Sequence, residues 1–317
     1  MAGRKTAVCT AVYPGIESWL PELCASIAGQ TDRDFDVVVI LDGLPERTWL
    51  ERGGRMLAAR ILQAPAGKTA AEVRNILLAN ACTSHEALVL VDGDDVMLPE
   101  RVAAARIDLQ RFDVTGCAME LMDQDGRPLG HVFGGLRRGD LPTADAQACG
   151  PADARACGPK DDRYIFESNR FGMGNTAWRS AALSACLPVP ADCVAADWYV
   201  ATRARLQGRR FRFDPVPRMR YRQHPNNVAG VLPPFSPDRL LRGARLAAGH
   251  FRHVLDLAEA APGTRYRERL EGASRRVGRF LERAVSDPRW LALFAEELGR
   301  SGPLDAWWAF IGAIEED

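Results

Sequence analysis

The chain runs to 317 residues, 47% hydrophobic and 26% charged, which is enough apolar material for a full core and excludes a disordered or collagen-like chain. Its 41 basic and 41 acidic side chains cancel, so no net field favours a polyanion, and nucleic acid is not an expected partner. Of the basic residues 38 are Arg and only Lys5, Lys68 and Lys160 are Lys, while the eight Cys form no CxxC pair, which excludes zinc-ligand spacing and leaves buried thiols in a reducing compartment.

The basic start of the chain leads into an apolar stretch broken at Pro14, Gly15 and Glu17 without a small-residue cleavage site, so it reads as a first strand and not as a signal peptide. Residues 5–13 form that strand; residues 17–29 then carry Trp19, Leu20, Leu23, Cys24 and Ile27 at helical spacing. The run FDVVVIL at 35–41 is too short for a helix and ends at the turn pair Asp42-Gly43. Residues 59–63 are a third strand and 69–81 a helix; ALVLV at 87–91 is a buried strand broken by Asp92-Gly93-Asp94-Asp95, and 99–109 is a helix. This alternation predicts an α/β fold with a parallel sheet covered on both faces, and such sheets bind ligands beyond the carboxyl ends of their strands.

After Asp113 the period changes, and VTGCAMELMD and PLGHVF around Gln124-Asp125-Gly126-Arg127 predict a hairpin or a bent strand pair. Residues 134–162, rich in Gly, Pro, Ala and Asp, contain Ala-Cys-Gly-Pro twice, too short for a structural repeat; a loop of this length is a functional lid or a disordered insertion. Residues 195–207 are helical, 211–213 and 219–222 are short strands, and from 237 onward the pattern is helical and Arg-rich. A boundary at Leu232-Pro233-Pro234 divides the chain into an α/β domain, 1–232, and a helical region, 233–317. The tail intersperses its Arg with Glu and apolar residues, as solvated helix faces do. Trp307-Trp308-Ala309-Phe310-Ile311 is expected to pack on neighbouring helices, the alternatives being a homodimer seam through the tail or contact with the inner membrane surface. No run reaches the roughly 18 uncharged apolar residues of a spanning helix, so the expected location is the cytoplasm, peripheral at the inner membrane in that alternative.

Four constellations carry chemistry. Asp92-Gly93-Asp94-Asp95 follows a buried strand directly, and carboxylates this close repel one another unless a hard cation such as Mg²⁺ or Mn²⁺, or hydrogen-bond donors, compensate; the competing reading is a solvated acidic turn. Asp42-Gly43 also follows a strand, and in a parallel sheet both acidic turns fall on one edge. Asp197, at the start of the 195–207 helix, is either an N-cap or a general base aimed into the cleft. Tyr221-Arg222-Gln223-His224-Pro225-Asn226-Asn227 supplies Arg and His for phosphate or metal, or is a polar loop leaving a strand. Two other matches fail. Ala66-Gly67-Lys68-Thr69 lacks the earlier Gly of a phosphate loop, where Leu62 stands, and Gly172-Met173-Gly174 lies outside any clear strand-helix-strand unit.

Taken in order, these segments resemble family-two glycosyltransferases of the GT-A fold over about the first 230 residues. Residues 6–13 look like the family's first strand, Ser26-Ile27-Ala28-Gly29-Gln30 like the helix end after it, and residues 35–43 like the strand ending in the nucleotide-contacting Asp. Residues 67–75 look like the family's Gly-to-Ala-Arg-Asn helix, Asp92-Gly93-Asp94-Asp95 with Leu98-Pro99-Glu100-Arg101 like the metal and nucleotide-sugar motif, Asn175 to Arg179 like the acceptor-side segment, and Asp197 with Arg203 and Gly208 like the catalytic helix. The 221–230 segment is most similar to rhamnosyltransferase-type members.

The resemblance implies a Rossmann-like mixed, mainly parallel sheet with helices on both faces, to which the tail adds a C-terminal helical extension without a shared motif. It implies that Thr10 and Asp42 contact the nucleoside, that Arg74 supports base or phosphates, and that Asp92 binds ribose. Asp94 and His224 would hold Mg²⁺ or Mn²⁺, Asp197 would be the base, and Asp95, Asn175, Trp198 and Arg222 would lie on the acceptor or phosphate side. The implied activity is inverting transfer from a UDP- or dTDP-linked sugar to a hydroxyl of a glycan or lipid-linked glycan, in bacterial surface polysaccharide or glycoconjugate synthesis. The alternative is a catalytically silent sugar-nucleotide or glycan-binding scaffold. Two segments depart from the family: Leu41-Asp42-Gly43-Leu44 stands where Asp-Asp-Gly-Ser is common, and Tyr13-Pro14-Gly15 where Tyr-Asn is.

Overall fold

Three short runs of almost unbroken apolar sequence, β1 (Thr6–Val12), β2 (Asp36–Leu41) and β4 (Ala87–Leu90), lie side by side in parallel with β3 (Ala59–Gln63) at the edge, in the order β3-β2-β1-β4. The computed structural model describes residues 6–134, 163–259 and 264–304. Alternate strand residues serve opposite faces of the sheet. Val8, Val12, Val39, Leu41 and Val89 meet α1 (Leu20–Ala28) and α4 (Arg101–Leu109) on one side; Cys9, Val38, Ile40, Leu88 and Leu90 meet α3 (Ala70–Cys82) on the other. Register sets the edge: Val12 pairs with Leu41 and Cys9 with Leu90, so the two acidic turns flank the end of β1.

The second half of the sheet is mixed, as the resemblance implies. β8 (Thr176–Arg179) runs antiparallel between β4 and β6 (Val114–Met122), β9 (Phe211–Arg222) is parallel to β6, and the short β5 (Val96–Met97) is antiparallel to β9. β7 (Pro128–Phe133) forms the expected hairpin with β6. Its turn is held by Asp123, whose Oδ1 accepts from the amides of Asp125 and Arg127 at 2.9 and 2.8 Å, and Gly126 there takes φ 83°.

The two strands expected at 211–213 and 219–222 are one. Pro215 and Pro217 lie between them, but β6 pairs Cys117 with Asp214 and Ala118 with Pro217, so Pro215 and Val216 bulge out and the ladder resumes. The elements α2 (Glu46–Glu51), β5, α5 (Arg163–Phe166), β8 and α6 (Ser180–Ser184) are too short to show a period, and the sequence did not predict them.

Local chemistry explains several joints. Ser26 and Gln30 tie α1 to the next layer: Ser26 Oγ accepts from Met97 N, and Gln30 donates to Leu98 O and accepts from Val102 N, which caps α4. Thr69 caps α3 in a reciprocal box with Glu72, and its hydroxyl donates to Ala191 O at 2.8 Å. Asn75 pairs with the backbone of Val189 through both its amide oxygen and its amide nitrogen, each at 2.8 Å, so α3 is fastened to the segment before α7 (Ala196–Leu206).

The tail consists of α8 (Pro237–Glu259), α9 (Thr264–Ser286) and α10 (Pro288–Arg300). Leu240, Ala244, Ala247, Phe251, Val254 and Ala258 recur at helical spacing on α8, as do Leu270, Ala273, Val277, Phe280 and Ala284 on α9; all are buried, in the cluster that also covers α7 and one face of the sheet. No helix among the described residues is long and apolar enough to cross a membrane. The 307–311 aromatic run and the 135–162 part of the long loop lie outside the described residues.

Thr69→Ala removes the cap and the bond to Ala191. Denaturant unfolding is expected to show a loss of about 1–2 kcal/mol, and an unchanged midpoint would mean that α3 is fixed by packing alone.

Candidate active site

The acidic turn after β4 is pressed against the end of β1. A Cβ on Gly93 would lie 2.5 Å from Ile16 Cδ1 and 2.7 Å from Ala11 O, so only glycine allows this approach. The three carboxylates it carries diverge. Asp95 is buried, and its Oδ1 accepts from the backbone amide of Arg222 at 3.0 Å. Asp94 presents Oδ2 to His224 Nε2 at 3.0 Å and to the Tyr13 hydroxyl at 3.3 Å. Asp92, a third of whose side chain remains exposed at 32%, faces Arg74 Nη2 of α3 at 3.7 Å.

Across from Asp92 stands Asp197 in the first turn of α7. It is not the N-cap; Ala195 occupies that position, without a side-chain cap. Both its oxygens are held, Oδ1 by the amide of Trp198 at 2.8 Å and Oδ2 by Nδ2 of Asn169 at 2.9 Å. Gly174 forms the wall behind the acidic turn, where a Cβ would come within 2.9 Å of Asp92 Oδ2 and 3.0 Å of Asp95 Oδ2.

The loop leaving β9 is fixed by Asn227, which accepts from the His224 amide at 2.5 Å and donates to Arg222 O at 3.1 Å; the His224 ring lies 4.8 Å from that of Trp19. Arg222 is 1% exposed and commits its donors to the protein: Nε to Asp94 O at 2.8 Å, Nη1 to Gln124 O at 3.1 Å and Nη2 to Glu22 at 2.5 Å, with the guanidinium over Trp19. Asn175 is fully buried, its amide on Cys117 O and Arg170 O. Trp198 is buried with Nε1 on Ile165 O and its ring stacked on His250. Thr10 is buried in β1, its Oγ1 without a hydrogen-bond partner among the described residues. Asp42, one residue past β2, donates its amide to Val12 O, and Pro14 covers Gly43.

The structure therefore gathers Arg74, Asp92, Asp94, Asp95, Asp197 and His224 at one sheet edge, sets Asp42 beside it, and turns the side chains of Asn175, Trp198 and Arg222 into the protein. Sequence reasoning missed Tyr13, Asn169 and Gly174 as members. Tyr13 carried a signal, because it ends the first strand at the same edge; Asn169 and Gly174 carried none.

Among the described residues, carboxylates outnumber the cations at this edge. Burial pushes Asp92 up to about 6, with Arg74 opposing and Asp94 and Asp197 reinforcing. Burial raises Asp95 well above the ordinary carboxylate value, helped by Asp94 and Asp92, and burial raises Asp197 despite the attraction of Arg74. The Tyr13 phenol is raised by burial and by the charges of Asp94 and Asp92. Among the described residues no three His, Cys, Asp or Glu side chains converge as a ready-made metal cage. Asp94 and His224 offer one oxygen and one nitrogen donor, a set that suits a divalent ion taking its other ligands from a bound molecule.

No protein-family model and no curated protein matches the chain. Solved structures do match, at low identity. A mannosyltransferase, PcManGT from Pyrobaculum calidifontis in complex with GDP-Man and Mn²⁺, is 16% identical with a TM-score of 0.59, covering 94% of this chain and 75% of that one. S. aureus TarS 1–349 in complex with UDP-GlcNAc is 18% identical with a TM-score of 0.54, covering 94% and 92%. TarS 1–349 in complex with UDP is 21% identical with a TM-score of 0.52, covering 78% of this chain and 65% of that one, and the match to TarS itself spans 43% of that chain. These likenesses establish the fold as that of the GT-A-like glycosyltransferase structures.

A carboxyl group whose folded value is raised stabilises the fold where it is protonated; the contribution is complete below the unfolded value of 3.8 and is lost as pH rises through about 6. Asp92→Asn is accordingly expected to melt above the wild type at pH 7, with the gap closing toward pH 4. A lower melting temperature at pH 7 would show that the attraction of Arg74 outweighs desolvation.

Proposed function

We propose that the chain is an inverting, metal-dependent glycosyltransferase acting on a nucleotide-diphosphate sugar. The observation that carries this reading is the placement of Asp197, its carboxylate oriented by Asn169 and the Trp198 amide, opposite Asp92 and Arg74 at the edge that also holds the Asp94–His224 pair. In this reading Thr10 and Asp42 border the nucleoside, and Asp92 receives the ribose hydroxyls. Arg74 lies beside the phosphates. Asp94 and His224 hold Mg²⁺ or Mn²⁺, which when bound offsets the charge developing on the leaving diphosphate. Tyr13 keeps Asp94 in place from the other side.

Asp197 removes the proton of the acceptor hydroxyl as that oxygen attacks the anomeric carbon from the face opposite the diphosphate, which inverts the configuration. Burial raises Asp197, which suits a base that must take a proton and pass it on, and the nearby Arg74 opposes that rise. The complexes of the structural neighbours with UDP-GlcNAc, and with GDP-Man and Mn²⁺, support a nucleotide-sugar donor and a divalent ion here. The donor is taken to be UDP- or dTDP-linked and the acceptor a glycan or lipid-linked glycan of the bacterial surface. Residues 1–232 form the transferase unit and 233–317 its helical support.

The test is calorimetric titration of UDP, dTDP and GDP with and without Mn²⁺, on wild type, Asp94→Ala and Asp197→Asn. One diphosphate is expected to bind with Mn²⁺, and Asp94→Ala to weaken it at least about tenfold. Asp197→Asn is expected to keep that affinity and lose roughly 10² to 10⁴ in sugar-transfer rate. Binding of no nucleotide would overturn the transferase in favour of the scaffold, and near-normal turnover by Asp197→Asn would remove Asp197 as base.

A further inference from the structure

Asp197 is reached from two directions by residues that the sequence motifs do not include. Asn169, 1% exposed, lies between α5 and β8 and donates its amide to Asp197 Oδ2 at 2.9 Å. Its own Oδ1 has no hydrogen-bond partner among the described residues, so the bond that orients the amide is the one to the carboxylate. An amide N–H bonds a carboxylate more strongly than a carboxylic acid, so this contact favours the ionised form against burial and against the charge of Asp92.

The segment carrying Asn169 is fastened to the tail. Two residues before it, Glu167 accepts from Arg269 Nε at 2.9 Å and from Arg276 Nη2 at 2.7 Å, two arginines spaced seven apart on one face of α9. Phe166 meets Tyr266 of α9 with ring centroids 5.2 Å apart. Ile165 O accepts from Trp198 Nε1 and Thr202 Oγ1 of α7, so the segment bridges α9 to the helix of Asp197 itself. From the other side His250 of α8 stacks on Trp198 at 3.9 Å and 10°. Among the described residues, the charged and titratable groups around Asp197 are Arg74 of α3, Asp92 of the acidic turn and Cys193 before α7, with His250 of α8 behind Trp198, and burial keeps His250 well below its ordinary value.

We propose that Asn169 is a positioning residue for Asp197, and that the C-terminal helices hold it in place through the clamp of Arg269 and Arg276 on Glu167. This assigns the tail a part in the reaction and rests on the reading of Asp197 as the base.

The test reads Asp197 directly. In full-length protein labelled with [¹³Cγ]aspartate, the Asp197 resonance is identified by its loss in Asp197→Asn, and its titration midpoint is followed in wild type, Asn169→Ala, Asn169→Ser and the pair Arg269→Met with Arg276→Met. Asn169→Ala is expected to raise the midpoint by about one unit, and Asn169→Ser, which keeps a donor, to restore part of it. The arginine pair is expected to shift it in the same direction by less. In each variant the acid limb of the pH–rate profile for nucleotide release from the sugar nucleotide should follow the midpoint, with nucleoside diphosphate affinity unchanged. A midpoint that stays put in both Asn169 variants overturns the positioning role. One that moves in them but not in the arginine pair overturns the role of the tail. A midpoint that responds as expected while Asp197→Asn turns over normally would leave the contact standing and remove the base assignment on which its catalytic meaning rests.

Discussion

Mutual repulsion among carboxylates is the constraint around which this sheet edge is built. Asp92, Asp94, Asp95 and Asp197 share an edge to which, among the described residues, Arg74 and Arg222 bring guanidinium groups, and Arg222 faces inward. The fold meets the repulsion differently at each position. Asp95 is buried on a backbone amide, Asp94 leans on a phenol and an imidazole, and Asp92 shares Arg74 with Asp197. What remains is an electrostatic deficit facing the cleft. In the proposed transferase, a ligand that brings a divalent cation would relieve it, which would put a structurally costly arrangement to use.

The strands that create this edge were legible because burial on both faces leaves no room for polar residues. FDVVVIL and ALVLV could be little else than central parallel strands, and the turn residues after them fixed where the chemistry would fall. The 69–81 helix was legible from the helical spacing of its apolar residues, and the structure starts α3 there with Thr69 and Glu72 as a cap whose geometry spans three residues. β9 was misread for a reason equally local. Proline lacks the ladder donor, and only the partner strand shows that Pro215 and Val216 bulge out and the pairing continues beyond them.

The site was legible in proportion to how much of it is contiguous. The acidic turn and Asp197 could be nominated from sequence, the latter through family resemblance more than through its position, which read equally well as a cap. Asn169, Tyr13 and Gly174 join it through contacts that cross 28 residues to Asp197, 81 to Asp94 and about as many to Asp92, and no spacing rule reaches so far. Arg222 shows the opposite case. Its motif suggested a ligand contact, whereas tertiary structure surrounds it with carbonyl oxygens and Glu22.

That inward arginine also sets the order in which the site can form. Its bonds to Asp95, Asp94 and Glu22 close loops of 127, 128 and 200 residues, among the most distant pairings in the chain. Contacts of such separation are the last to repay their closure entropy during folding, and during synthesis they must wait until β9 has emerged. Until then Asp95 lacks the amide that satisfies it, and the acidic turn rests on its packing against Ile16 and Ala11. The cleft is thus complete only once β9 has joined the sheet.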